Sequence, residues 1–205
     1  MRYRYHYSQL YTLFPFFMLI ILCSSAEAEE FSSKQLIPLL QQGGYVLYWR
    51  HAATDQKQKD AVDMSLDDCS TQRNLSELGR HQAVNIGKQL TRLKVDVDRV
   101  ISSPYCRCKE TAILAFDRVE LDTDLYFSID VSKDKRGKQT EKLRFLLGNL
   151  PGNGKNHVIV SHTANLKEAA DVWPKPEAVI HVFKPESDHF THLGKILPDE
   201  WINLN

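Results

Sequence analysis

Five short runs of continuous, largely β-branched apolar residues punctuate the chain, at Tyr45–Trp49, Arg99–Ser102, Val119–Leu121, His157–Ser161 and Val179–Phe183. Unbroken apolar runs of this length are what strands covered on both faces require. Helix-like segments separate them. Ser76 is placed to cap a helix reaching about Leu93, with Ala83, Ile86, Leu90 and Leu93 on one face. Pro104 sits where a first turn tolerates proline and opens a second helix through Thr111, Leu114 and Ala115; Thr140–Leu147 predicts a third and Asn165–Val172 a short fourth. This alternation predicts an α/β domain with a mostly parallel central sheet flanked by helices. Two polar stretches, Ala52–Arg73 and Asp122–Lys138, are longer than a connection needs, which marks them as functional or mobile loops.

The amino terminus reads differently. Arg2 and Arg4 precede the apolar run Thr12–Leu22, and small residues follow up to Ala26-Glu27-Ala28. That is the layout of a secretory signal, with cleavage expected after Ala28 and a secreted or periplasmic destination. The run is about half of the roughly 20 residues a membrane span takes, and Pro15 interrupts it. Membrane contact is expected only through this segment if it is left uncleaved. Residues 29–205 then form one domain of 177 residues, large enough to bury a core.

Charge narrows the partners. Residues 29–205 carry 24 Lys and Arg against 25 Asp and Glu, so nothing in the balance points to nucleic acid or an anionic membrane. Any anion site must be local. Three cysteines remain beyond the leader, Cys69, Cys106 and Cys108, and an oxidising compartment favours pairing. Cys106 with Cys108 would close a very tight ring, so Cys69 with Cys106 is the favoured disulfide, leaving Cys108 buried; three buried reduced thiols are the alternative.

Three of the predicted strands deliver cationic or titratable groups to their ends. The first ends on Arg50-His51, the second leads through "SSPYCR" to Arg107, and the fourth ends on Ser161-His162. In a parallel sheet these ends share one edge, where such folds bind ligands. Two guanidiniums and two imidazoles meeting there make a strong anion site, since planar arginine forks match oxyanions two oxygens at a time. Phosphate suits four such groups better than carboxylate, because a phosphoryl group offers three equatorial oxygens and a reacting axis.

From Tyr45 to about Pro185 the motifs "YWRHAATD", "RNLSELGRHQAVNIGKQL", "VISSPYCRCKETAILAF" and "VIVSHTANL" occur in the order and spacing of a known family. The chain resembles the histidine phosphatase superfamily, the phosphoglycerate-mutase-like fold, in its smaller branch, and is most similar to exported bacterial members carrying "CSTQRNLS". The resemblance implies a covalent phosphohistidine mechanism without metal or cofactor. His51 would be the nucleophile, and Arg50, Arg107 and His162 would hold the phosphoryl oxygens. Neighbouring cations keep the His51 ring unprotonated near neutral pH.

Two positions depart from the family pattern. Ala52 replaces the usual glycine, and Thr163 stands where one branch has a carboxylic acid. Asp124, Asp130 and Glu177 are the candidate proton donors. Without a well-placed acid, phosphohistidine, acyl, aryl or pyrophosphate leaving groups are favoured over alkyl phosphates. Ser103 and Asn165 either donate at the pocket or cap the adjoining helix. His189 and His192, read as part of a polar tail, lack the further ligands a metal needs. The expected activity is a phosphatase acting on phosphorylated small molecules or envelope components; the alternative is a phosphate-binding protein of the same fold with little turnover.

Overall fold

In the computed structural model, which describes residues 1, 30–149, 151–187 and 189–205, the sheet order explains how distant motifs meet. The expected signal segment, residues 1–28, lies almost wholly outside the described residues. Six strands, β1 (Val46–Arg50), β2 (Val97–Ser102), β3 (Glu120–Leu121), β4 (Asn156–Ser161), β5 (Ile180–Pro185) and β6 (Phe190–Ile196), lie in the order β3-β2-β4-β1-β5-β6. The first four are mutually parallel, while β5 runs antiparallel to β1 and β6 antiparallel to β5. The mostly parallel α/β sheet expected from the apolar runs is the one found, with an antiparallel margin added.

Five helices cover the faces: α1 (Ser33–Gln42), α2 (Glu77–Arg92), α3 (Cys106–Phe116), α4 (Lys133–Gly148) and α5 (Thr163–Ala170). Alternate strand residues divide between them. Leu47, Trp49, Val158 and Val160 join the core under α1, α2 and α3, whereas Val46, Tyr48 and Ile159 join the core under α4 and α5. Each fully buried Leu, Val or Ile contributes roughly 1.5–3 kcal/mol relative to exposure, so this two-faced burial fixes strand register. Ser76 caps α2 as expected, its hydroxyl accepting from Gly79 N at 3.1 Å. A Cβ on Gly79 would fall 1.9 Å from the Ala53 carbonyl oxygen, so only glycine lets α2 start against the loop that follows β1.

Several boundaries moved. The second predicted helix starts at Cys106 rather than at Pro104, and α4 begins at Lys133, seven residues before the expected Thr140, which shortens the second long loop. The stretch read as a polar tail is strand β6, on the sheet edge beside β5. There His192 Nε2 lies 2.9 Å from His181 Nδ1. Among the described residues no helix is long and apolar enough to cross a membrane.

Candidate active site

Register builds the site. Arg50, the last residue of β1, stands opposite Ser161, the last of β4, so the next residues, His51 and His162, leave adjacent strands at one level. The His51 amide donates to the Ser161 carbonyl at 3.1 Å, locking that alignment. Ser102 at the end of β2 pairs with Val160, and the Ser103 amide donates to the Val160 carbonyl at 2.9 Å. The chain then turns through Pro104 and Tyr105 into α3, placing Arg107 in its first turn. Three strand ends of one parallel sheet thus supply four groups to one spot.

The His51 and His162 ring centroids are 5.7 Å apart at an interplanar angle of 64°. Both rings are buried, as is the whole of Arg107. His51 Nδ1 lies 2.9 Å from the Ala52 carbonyl oxygen. A carbonyl only accepts, so Nδ1 carries the proton and Nε2 the lone pair. Burial, then the charge of Arg107, hold the His51 ring well below the ordinary histidine value of 6.5, with Arg50 and Arg73 adding to the effect. His162 is lowered likewise, by burial first and then by Arg107. Its Nε2 meets Ser103 Oγ at 2.8 Å, and Tyr105 and Phe127 flank its ring.

The guanidiniums are held yet incompletely used. Arg50 donates from Nη1 to the Pro174 carbonyl at 3.1 Å and from Nη2 to Glu177 at 3.3 Å. Arg107 donates from Nη1 to Asp60 at 3.0 and 3.2 Å, and its guanidinium stacks 4.3 Å from the Tyr105 ring centre. The Nε atoms of both arginines are buried with no hydrogen-bond partner. Such orphan donors cost stability unless a ligand oxygen takes them, and two of them beside a neutral imidazole describe an oxyanion site.

Sequence reasoning missed a third guanidinium. Arg73 lies 3.6 Å from Glu177, and its carbonyl accepts from Arg107 at 3.4 Å. It also missed Asp60. Both sit in the long loop after β1, where no periodicity marks a residue as inward-facing. The loop is tied down by the disulfide between Cys69 and Cys106, the pairing favoured from sequence, and Cys108 is free and buried. Burial raises the Cys108 thiol to about 12, so it is a packing group beside His162.

Of the three expected proton donors the structure brings one to the quartet. Glu177 contacts Arg50 and Arg73 and also accepts from Thr54 N at 2.9 Å, Thr54 Oγ1 at 2.8 Å and Gln56 at 3.3 Å. Asp130 accepts instead from the Tyr105 hydroxyl at 2.9 Å. Asp124 lies in the turn Thr123–Leu125 and forms no hydrogen bond or ion pair with the quartet. Asn165 neither caps α5 nor enters the pocket; its amide donates to the Tyr126 carbonyl at 2.8 Å, pinning the loop that carries Phe127. A cavity of about 460 Å³, lined by Asp60, Met64, Tyr126, Phe127 and Asp130, includes none of the four but is linked to them through Asp60, which pairs with Arg107. A larger cleft, about 770 Å³, lies between α2 and α3 beyond the disulfide and includes none of the four.

The protein is thus a six-stranded, mostly parallel α/β fold that gathers two arginines and two histidines at one edge of its sheet. The sequence model of the histidine phosphatase superfamily (branch 1) matches residues 46–126, which contain Arg50, His51 and Arg107. Over that segment the chain is similar to the histidine phosphatase superfamily. Solved structures share its fold. The protein histidine phosphatase SixA complexed with tungstate superposes with a TM-score of 0.54 at 18% identity, over 76% of this chain and 98% of its own. Mycobacterial glucosyl-3-phosphoglycerate phosphatase gives 0.54 at 16%, over 73% and 97%, and YhfR of Bacillus stearothermophilus 0.53 at 15%, over 72% and 94%. No curated protein matches the sequence.

Proposed function

We propose that the protein is an exported phosphatase that hydrolyses phosphate esters or related phosphorylated compounds through a phosphohistidine on His51. The observation that carries this reading is a buried imidazole with its lone pair on Nε2, set among guanidiniums whose Nε donors have no partner. In the first half-reaction, Nε2 attacks phosphorus in line as the bond to the leaving oxygen breaks. Arg50, Arg107 and His162 hold the equatorial oxygens, where charge builds in the transition state. Water then attacks the phosphohistidine, the nitrogen–phosphorus bond breaks, and inorganic phosphate leaves.

The basic, apolar and small-residue layout of residues 1–28 supports export, and with it a phosphorylated small molecule or envelope component as substrate. The similar structures named for phosphohistidine and for glucosyl-3-phosphoglycerate phosphatase activity both concern phosphorylated substrates, which agrees with the reading. Release of phosphate from p-nitrophenyl phosphate tests it. Wild type turns the ester over and His51→Ala does not. A protein that binds phosphate tightly but releases none from any ester would be a binding protein instead.

A further inference from the structure

The phosphohistidine reading leaves open what protonates the departing oxygen, and on that reading rests a further assignment. Among the described residues, two carboxylates touch the guanidiniums of the site, Glu177 and Asp60. They are not equivalent. The oxygens of Glu177 face five donors, two of them arginines, and its side chain lines no part of the open cavity. Asp60 has one oxygen anchored and one nearly free. Its Oδ1 accepts from the Arg73 amide at 2.9 Å and from Arg107 at 3.0 Å, whereas Oδ2 meets only the same Arg107 nitrogen, at 3.2 Å. Its side chain is 27% exposed and borders the cavity of about 460 Å³ beside the site.

We propose that Asp60 is the acid that protonates the leaving oxygen. A phosphoryl group entering the site competes with Asp60 for Arg107, the arginine whose Nε has no other partner. Once the phosphoryl oxygens take the guanidinium, Asp60 stands beside an anion instead of a cation. Two acidic oxygen groups at hydrogen-bonding distance share a proton, so substrate binding itself loads the carboxyl. The Arg73 amide keeps Oδ1 in place, which leaves the proton on Oδ2. The leaving group is placed toward that cavity because Asp60 both lines it and contacts Arg107.

The step balances. The His51 Nε2–phosphorus bond forms as the phosphorus–oxygen bond breaks, and the Asp60 proton passes to the departing oxygen to give the alcohol. The Asp60 carboxylate then takes a proton from the water that attacks the phosphohistidine, and the acid is restored as phosphate leaves.

The test compares leaving groups in wild type, Asp60→Asn and Asp60→Glu, with p-nitrophenyl phosphate as the aryl ester and glycerol 2-phosphate as the alkyl ester. General acid catalysis is worth on the order of 10²–10⁴-fold where the leaving group is poor. Asp60→Asn, which keeps an oxygen for the Arg73 amide, should therefore lose glycerol phosphate turnover by that factor, and aryl turnover by at least tenfold less. Asp60→Glu should recover part of the alkyl rate. Equal losses on both esters, or rates that hold or rise on both as expected of a carboxylate that merely blocks Arg107, would overturn the assignment. So would a wild type that hydrolyses the aryl ester alone. A wild type inactive on both esters defeats the phosphatase reading along with it.

Discussion

Ser103 Oγ and His162 Nε2 lie 2.8 Å apart in a fully buried contact, so one hydroxyl from the end of β2 fixes the ring delivered by the end of β4. The Tyr48 hydroxyl adds a bond to the His162 carbonyl at 2.6 Å. One bond holds the ring and the other the backbone of the same residue. Ser103→Ala removes one such bond, worth roughly 0.5–1.5 kcal/mol. The expected result is a kcat lowered by about threefold to tenfold, with KM little changed, measured on an aryl phosphate.

Glu177 pairs with both Arg50 and Arg73. Glu177→Gln keeps the bonds from Thr54 in reach but removes the charge. Folding stability should fall by about 1–2 kcal/mol, as a charge-assisted contact is lost. Phosphate should bind more tightly, because an anion no longer competes for the two guanidiniums. Thermal unfolding with and without phosphate checks both: a lower starting midpoint and a larger upward shift are expected.

The pH dependence follows from the depressed histidines. His51 and His162 are lowered well below 6.5 in the fold, by burial first and by Arg107 next. The attacking nitrogen therefore stays unprotonated as pH falls through 6, and kcat/KM should decline only in a more acidic range than an ordinary histidine would give. Stability falls in the same direction but from a higher pH. The unfolded chain takes up these protons near 6.5 while the fold does not, so the stabilisation is complete above that value and is lost as pH drops toward the folded values. His181, lowered to about 3 chiefly by burial, adds to the same trend. Unfolding midpoints measured between pH 8 and 4 should fall steadily below about 6.5.

The disulfide joins residues 37 apart and spans the segment that carries Arg73. Closing a loop of that length stabilises by about 3–4 kcal/mol in the chain-entropy account. Cys69→Ser with Cys106→Ser should lose stability of that order. Because the Cys106 amide also donates to Gln72 Oε1 at 2.9 Å, part of the loop stays anchored. KM should therefore rise more than kcat falls, read from steady-state kinetics well below the variant's unfolding midpoint.

Much of this architecture was legible in the sequence because burial on both faces leaves an unbroken apolar signature, as at Val46–Trp49 and His157–Val160. Arg50, His51, Arg107 and His162 could be read because each follows such a run at a fixed offset. Strand β6 could not, since its sequence, FTHLGKI, has neither an unbroken apolar run nor a regular polar–apolar alternation. Helix α1 carries Pro38 inside it, and its signal is the capping pair Ser32 and Gln35, which passed unread. Asp60 and Arg73 were invisible for a deeper reason. Their placement depends on a loop folded back by a disulfide and by the Asp60–Arg73 bond, contacts that leave no periodic trace. Asp124, Asp130 and Glu177, the proton-donor candidates legible in the sequence, follow the second arginine or the second histidine, whereas Asp60 follows the first histidine.

The central claim is that phosphorus passes through His51. Wild type mixed with a ³²P-labelled phosphate ester and denatured within a turnover should carry acid-labile, alkali-stable label approaching one equivalent, and His51→Ala should carry none. Turnover by wild type with no trapped label, or equal label on His51→Ala, would contradict the account.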